Sequence, residues 1–243
     1  MKCNCDLCGA DSPRAIDVTL KHTKTEPLYV CGECGLVYVP ERRTTEEMVE
    51  DWSDNNYRKG HTPDANPAVA ARHEYVSTFV CNELGWKDKS VFDIGAGTGG
   101  FSNGTRFDIA TILWTLENTA DPAGMLKAAW ELLEDDGHVV VATGSRLLVP
   151  FKKPMNMYLE PNSPFTRYSA NTLRGMLHEN RFEVVAENRW IDSDVMVMIA
   201  QKRQEKTPWI GDQAWHLVAF FNQWDSAEWH STQVGADLWQ MKQ

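Results

Sequence analysis

Four of the six cysteines stand in two pairs of one form, Cys5-Asp6-Leu7-Cys8-Gly9 and Cys31-Gly32-Glu33-Cys34-Gly35. Thiols three positions apart on a tight turn present two sulfurs to a single ion, and a glycine after the second permits the backbone geometry that turns amides towards them. Two such knuckles complete a tetrahedral shell of four thiolates. The shell is closed to water, so the expected ion is a structural Zn2+ held by Cys5, Cys8, Cys31 and Cys34. Redox or unligated thiols are the competing reading, and Cys3 is an available substitute ligand. A second run also carries chemistry. Ser90-Val91-Phe92-Asp93-Ile94 reads as a short buried strand that enters Gly95-Ala96-Gly97-Thr98-Gly99-Gly100. Small residues at a strand end let backbone amides and the next helix start come close to a charged ligand.

The elements that must position these residues follow from periodicity and punctuation. Around the knuckles, Ala15 to Leu20, Pro27 to Val30 and Leu36 to Val39 read as short strands, a zinc ribbon over residues 1–43. Thr44 to Tyr57 is a polar helix candidate broken by Asn55 to Pro63, which makes 44–65 a helical linker. Asn66 caps and Pro67 opens a helix to Leu84, with Val69, His73, Val76, Phe79 and Val80 on one side and Gly85 at its end. Strands follow at Phe107–Leu113, Gly137–Thr143, Phe182–Glu187 and Val195–Gln201. Helices run from Asp121-Pro122 to Leu133 and, capped by Ser169, from Ala170 to Asn180. Strands alternating with helices predict an open, largely parallel α/β sheet over 66–203. From Thr207-Pro208 an amphipathic helix carries Ile210, Ala214, Leu217, Val218, Phe221 and Trp224, and a second helix can start at Ser226. Five of the ten tryptophans lie in this 204–243 tail, so it is expected to pack on the domain or on a second copy of the chain; a substrate-binding surface is the other reading.

Composition sets limits on partners. At 243 residues the chain can bury one good core plus a small appendage. A net charge of −10 opposes phosphate-driven binding, so nucleic acid is not an expected partner. No run of about 18 apolar residues is present, which argues against a membrane span. Met1-Lys2-Cys3-Asn4-Cys5 lacks the apolar stretch of a signal peptide, and a cytoplasmic location is expected, where thiols stay reduced.

Asp93-x-Gly95-x-Gly97-x-Gly99 at the end of a strand resembles the first motif of class I S-adenosylmethionine-dependent methyltransferases. Its spacing differs from the dinucleotide fingerprint, with the third glycine one residue early and an acid two residues before the first. The resemblance continues in order along the chain. Phe107-Asp108-Ile109 through Leu116-Glu117-Asn118 to Asp121-Pro122 looks like the family's fourth strand and the segment after it, with Asn118 where a histidine is frequent. Leu132 to Val141 is similar to the helix, turn and fifth strand, and Phe165 to Val185 to the late helix and strand. A zinc ribbon ahead of such a domain recurs in a subset that includes sugar C-methyltransferases.

The resemblance covers most of residues 1–203. It implies a Rossmann-like sheet and S-adenosylmethionine held by Asp93, Gly95, Gly97 and Gly99, with Trp114 and Glu117 facing the cofactor. It also implies a small-molecule or sugar acceptor, and a homo-oligomer through the tail is a further expectation. The loop Pro150 to Tyr168 lies where the family places substrate contacts; within it Tyr158, Glu160 and Tyr168 are acid or base candidates with ordinary packing as the alternative. His138 and His178 are expected to be structural.

One departure from the family stands out. Between the glycine loop and the fourth strand the family has a helix, the second strand, another helix and the third strand, whereas here Gly95 to Arg106 is 12 residues. A parallel crossover needs about 10–12 residues, so the connection is short but feasible. In the family's strand order, 3-2-1-4-5-7-6, loss of strands two and three removes one edge and leaves 1-4-5-7-6. The second strand's ribose-binding acid and the third strand's adenine contacts would go with them. Losing a hydrogen bond to a charged group costs about 1.5–3 kcal/mol and losing the adenine walls adds to that, so affinity is expected to fall by roughly two or more orders of magnitude. The alternative function is therefore a non-catalytic zinc-ribbon scaffold or interaction protein derived from a methyltransferase.

Overall fold

A computed structural model describes residues 3–23, 26–44, 47, 66–85, 87–95, 106–144, 155, 159, 164–188 and 195–240, the side chains of 228–240 excepted. The cysteine-rich start forms β1 (Pro13–Ile16), α1 (Leu20–Thr23), β2 (Leu28–Cys31) and β3 (Val37–Tyr38), the strands pairing antiparallel. The strand expected over Ala15 to Leu20 stops at Ile16, where Asp17–Thr19 turns into a 3₁₀ helix. Its β-branched residues mislead because the Thr19 hydroxyl replaces ladder bonds. It donates to the Ile16 carbonyl at 2.7 Å and accepts the Leu28 amide at 2.7 Å.

The helix predicted after Asn66 is α2 (Pro67–Leu84). Asn66 Oδ1 accepts the Ala68 amide at 3.0 Å, and Gly85, at φ +70°, closes the helix with a bond from its N–H to the Cys81 carbonyl. Then follow β4 (Val91–Asp93), β5 (Phe107–Leu113), α3 (Pro122–Leu132) and β6 (Leu133–Gly144). Beyond them come β7 (Thr166–Arg167), α4 (Ala170–Glu179), β8 (Phe182–Glu187), β9 (Val195–Lys202) and α5 (Ala214–Gln240). Asp121 caps α3, and Ser169 with Thr172 forms a capping box on α4. β6 begins four residues before the expected Gly137, because Leu133 already pairs with Phe107 and the register then shifts before His138 meets Ile109.

The larger sheet has the order β4-β5-β6-β9-β8, which is the expected 1-4-5-7-6 arrangement. It is largely parallel, as expected: β4, β5, β6 and β8 run in one direction, and β9, antiparallel to both β6 and β8, is the reversed strand of these five. Residues 188–194 connect β8 to β9 directly, too short for a crossover helix, so the pair must be antiparallel. β4 was expected to be buried and is instead an edge. Among the described residues only β5 flanks it, Asp93 is exposed, and Val91 is 40% exposed.

Alternation along the strands splits the core. Ile109, Val140, Val197 and Ile199 face Val76 and Val80 of α2, while Ala110, Ile112, Val139, Val141 and Met198 face α3, α4 and the cysteine knuckles. The smaller sheet, β1-β2-β3-β7, ties the knuckle region to the later chain through Val37 opposite Arg167 and Tyr38 opposite Thr166. α5 lays Ala214, Leu217, Phe221 and Trp224 on Ile16, Leu28, Val30 and Val37 of the ribbon. It starts at Ala214 rather than Thr207 and runs unbroken through Ser226; Ile210 precedes it and is 84% exposed. The polar turn Gly211-Asp212 is held instead by the second knuckle, the Asp212 amide donating to the Cys34 carbonyl at 3.0 Å. Among the described residues no helix is long and apolar enough to cross a membrane.

Candidate functional site

The four knuckle thiols converge. The sulfurs of Cys5, Cys8, Cys31 and Cys34 all lie within 4.8 Å of one another, with Cys5–Cys34 and Cys8–Cys31 at 3.5 Å. Thiolates about 2.3 Å from a tetrahedral zinc stand roughly 3.8 Å apart, so the cluster has the right size for that ion. Backbone turns set it up: the Gly9 amide donates to the Cys5 carbonyl at 2.8 Å, and the Gly35 amide to the Cys31 carbonyl at 3.0 Å. Gly35 has φ +71°, and a Cβ there would come 2.4 Å from the Asp212 carbonyl oxygen, so glycine is required on both counts. The thiols cannot all ionise alone. The hydrogen bond from Cys34 brings Cys5 down to about 6, burial pushes Cys8 up to about 12, and Cys34 is pushed up by the same bond to Cys5. A divalent cation would remove this mutual penalty.

The second centre lies at the carboxyl ends of β4 and β5, where ligands of open α/β sheets bind. Asp93 ends β4, and its Oδ1 accepts the Thr111 hydroxyl at 2.5 Å. The chain then turns, with the Ile94 amide donating to the Thr111 carbonyl at 2.7 Å. Gly95 follows, exposed and at φ +107°; a Cβ there would meet Thr115 Oγ1 at 2.6 Å. Only glycine brings the backbone this close to the end of β5. Gly97 and Gly99 lie outside the described residues.

Trp114 leaves β5 with φ +51°, a left-handed conformation that costs a bulky residue about 1–3 kcal/mol. Its amide donates to the Ala142 carbonyl at 2.7 Å, and its carbonyl accepts Asn118 Nδ2 at 3.0 Å, which fixes the turn. Asn118, at the position of the expected histidine, is thus spent on the backbone. Glu117 sits in the 3₁₀ turn Leu116–Asn118 and is buried. Burial pushes its carboxyl up to about 7, against the opposing effects of its own backbone amide and the Thr143 hydroxyl. Its Oε2 has no hydrogen-bond partner among the described residues.

The two centres share a seam that sequence reasoning missed. Arg42, 4% exposed, pairs with Asp6 of the first knuckle and donates to the Ala120 carbonyl at 3.2 Å, two residues past the Glu117 turn. The Phe165 amide donates to the Glu117 carbonyl at 2.9 Å, just before β7 joins the ribbon sheet. Tyr168 is fully buried, its pKa is raised by burial, and its hydroxyl, near Thr166, lacks a well-formed hydrogen bond; Tyr38 on β3 is in the same state. Tyr158 and Glu160 lie outside the described residues. His178 is structural as expected: it is buried and its ring contacts the Pro208 carbonyl at 3.2 Å. His138 is half-buried and level with Val91 at the amino end of β4, with its pKa lowered by burial. No local signal in the sequence announces Arg42, because its partners come from three separate segments.

The sequence matches no protein-family model and no curated protein. Solved structures do match. The 1,6-didemethyltoxoflavin-N1-methyltransferase of Burkholderia thailandensis, with bound 1,6-didemethyltoxoflavin and S-adenosylhomocysteine, aligns with a TM-score of 0.51 at 14% identity. The alignment covers 79% of this chain and 100% of that one. The chain has a methyltransferase fold. Two further structures are more distant. Magnesium protoporphyrin IX methyltransferase from Synechocystis PCC 6803 has a TM-score of 0.44 at 12% identity, over 65% of this chain and 99% of that one. The N-methyltransferase NodS from Bradyrhizobium japonicum has a TM-score of 0.44 at 13% identity, over 66% and 99%. Within the methyltransferase fold, β4 and β5 are the neighbouring strands whose ends carry Asp93, Gly95, Trp114 and Glu117.

Proposed function

We propose that the chain is an S-adenosylmethionine-dependent methyltransferase acting on a small molecule or sugar, with a structural zinc on Cys5, Cys8, Cys31 and Cys34. The observation that carries this reading is the β4-β5-β6-β9-β8 order with an acid and a left-handed glycine at the end of its first strand. Asp93, Gly95, Gly97 and Gly99 would hold the cofactor, with Trp114 and Glu117 on its acceptor side. Gly95 fits that role, since its exposed backbone is free of a side chain where a ligand must approach. The cofactor supplies an electrophilic methyl group. The chain's own work is to orient the acceptor and, where the acceptor loses a proton, to receive it. Glu117, held near 7 by burial and with one free oxygen, suits that proton better than Tyr168, whose raised pKa and burial leave it protonated.

The division into 1–43, 44–65, 66–203 and 204–243 and a cytoplasmic setting belong to the same proposal. So does the loss of the family's second and third strands, supported by β4 being a sheet edge among the described residues. That edge also favours the second reading, a non-catalytic scaffold, because among the described residues no strand on that side of β4 offers a carboxylate to a ribose. Calorimetry with S-adenosylmethionine separates the two. The first predicts saturable heat, weakened into the micromolar-to-millimolar range, and silence at millimolar cofactor leaves the scaffold.

A further inference from the structure

We propose that Arg72, His73 and Trp114 form a wall that binds a planar aromatic acid, and that on the methyl-transfer reading, on which this role rests, such an acid is the acceptor. Trp114 is the first residue beyond β5, at the end of the parallel strands where Asp93 and Gly95 also stand. Its left-handed backbone, tied at both its amide and its carbonyl, turns the ring out of the strand line, where it stays half-exposed. α2 passes over this point. The His73 ring lies parallel to the indole within 7°, centroids 5.9 Å apart, and the Arg72 guanidinium sits 5.6 Å from the indole centroid.

The chemistry of these three groups is one-sided. Arg72 is half-exposed and has no carboxylate partner among the described residues, in a chain whose net charge is −10. Among the described residues, three acids of the neighbouring elements face elsewhere or are engaged. Glu74 is exposed two positions on and turned about 200° around the helix. Asp93 accepts from Thr111, and Glu117 is buried. With Arg72 over the indole and His73 stacked on it, the guanidinium offers a fork for a carboxylate, and the exposed His73 ring and the half-exposed indole offer flat surface to the ring that bears it. A neutral or non-planar ligand would use only part of this surface.

Salicylate and its neutral isostere salicylamide test the proposal, titrated into the full-length zinc-loaded protein and followed by ligand-observed NMR. The expected result is salicylate binding about tenfold more tightly than salicylamide, with Arg72→Gln removing the preference. Arg72 is a half-exposed helical position, so this variant is expected to fold, which circular dichroism checks. Equal affinity for the two probes, a preference that survives Arg72→Gln, or no binding of either at about 10 mM overturns the proposal. A parallel titration with S-adenosylhomocysteine keeps the readings apart. Cofactor binding without salicylate binding removes only the aromatic-acid wall, and salicylate binding without cofactor binding removes only the methyl-transfer role.

Discussion

Glu117 is the side chain whose ionisation the fold changes most usefully. Its carboxyl moves from an ordinary 4.5 to about 7, so between those values the folded chain keeps a proton that the unfolded chain has lost. Stability from this group is full below the unfolded value and is lost as the pH rises through the folded one, by at most roughly 3 kcal/mol. Glu117→Gln is neutral at every pH. Denaturant unfolding is expected to show the variant gaining on the parent from pH 4 to pH 8, and parallel pH profiles would mean that Glu117 is solvated. Gly95→Ala and Gly85→Ala make a second contrast. Both glycines have positive φ, but a Cβ at Gly95 strikes Thr115 whereas one at Gly85 meets nothing within 4 Å. Gly85→Ala should cost about 1 kcal/mol and leave cofactor binding intact; Gly95→Ala should abolish binding as well. If both variants bind equally, the turn at Gly95 is not a cofactor contact. At this scale the cysteines and Asp93-x-Gly95 could be read directly from spacing. The left-handed Trp114 could not, because nothing in Leu113-Trp114-Thr115 forbids continuing the strand.

Elements were legible where punctuation and period agreed. Asn66-Pro67 and Gly85 bracket α2, Asp121-Pro122 opens α3, and Ser169 opens α4 at the residues expected. α5 shows the limit. Its apolar stripe was visible, yet its start was placed seven residues early because Thr207-Pro208 mimics a helix opening, while the intervening chain binds the Cys34 turn. Packing of Phe221 and Trp224 against the ribbon makes α5 the cover of a core that three short strands cannot close. Phe221→Ala is expected to lower stability by about 3–5 kcal/mol. Thermal unfolding with zinc present checks this, and a loss below about 1 kcal/mol would mean that the helix is a loose strap. β4 was misjudged for the opposite reason: Ser90 to Ile94 has a buried strand's composition, but exposure depends on which strands flank it.

Across the whole molecule, the five-strand order was foreseen through the resemblance, because the ordered motifs brought that family's strand order with them and the observed sheet follows it. The pairing of β3 with β7 and the Arg42 clamp were hidden, because contacts between distant segments leave no periodic trace. They have an energetic consequence. Cys5, Cys34, Leu36 and Tyr38 share one core with Ile112, Leu116 and Leu173. On the zinc proposal, chelating the ion, or protonating Cys5, Cys8, Cys31 and Cys34 in acid, should therefore lower the midpoint of a single unfolding transition. A separate early transition in calorimetry would show the ribbon melting by itself. The central claim, that the ends of β4 and β5 bind the methyl donor, is tested most directly by titrating S-adenosylhomocysteine into the zinc-loaded chain and its Asp93→Ala variant. The account predicts saturable heat for the parent and at least about tenfold weaker binding for the variant. Heat absent from the parent at millimolar ligand, or unchanged by the substitution, would contradict it.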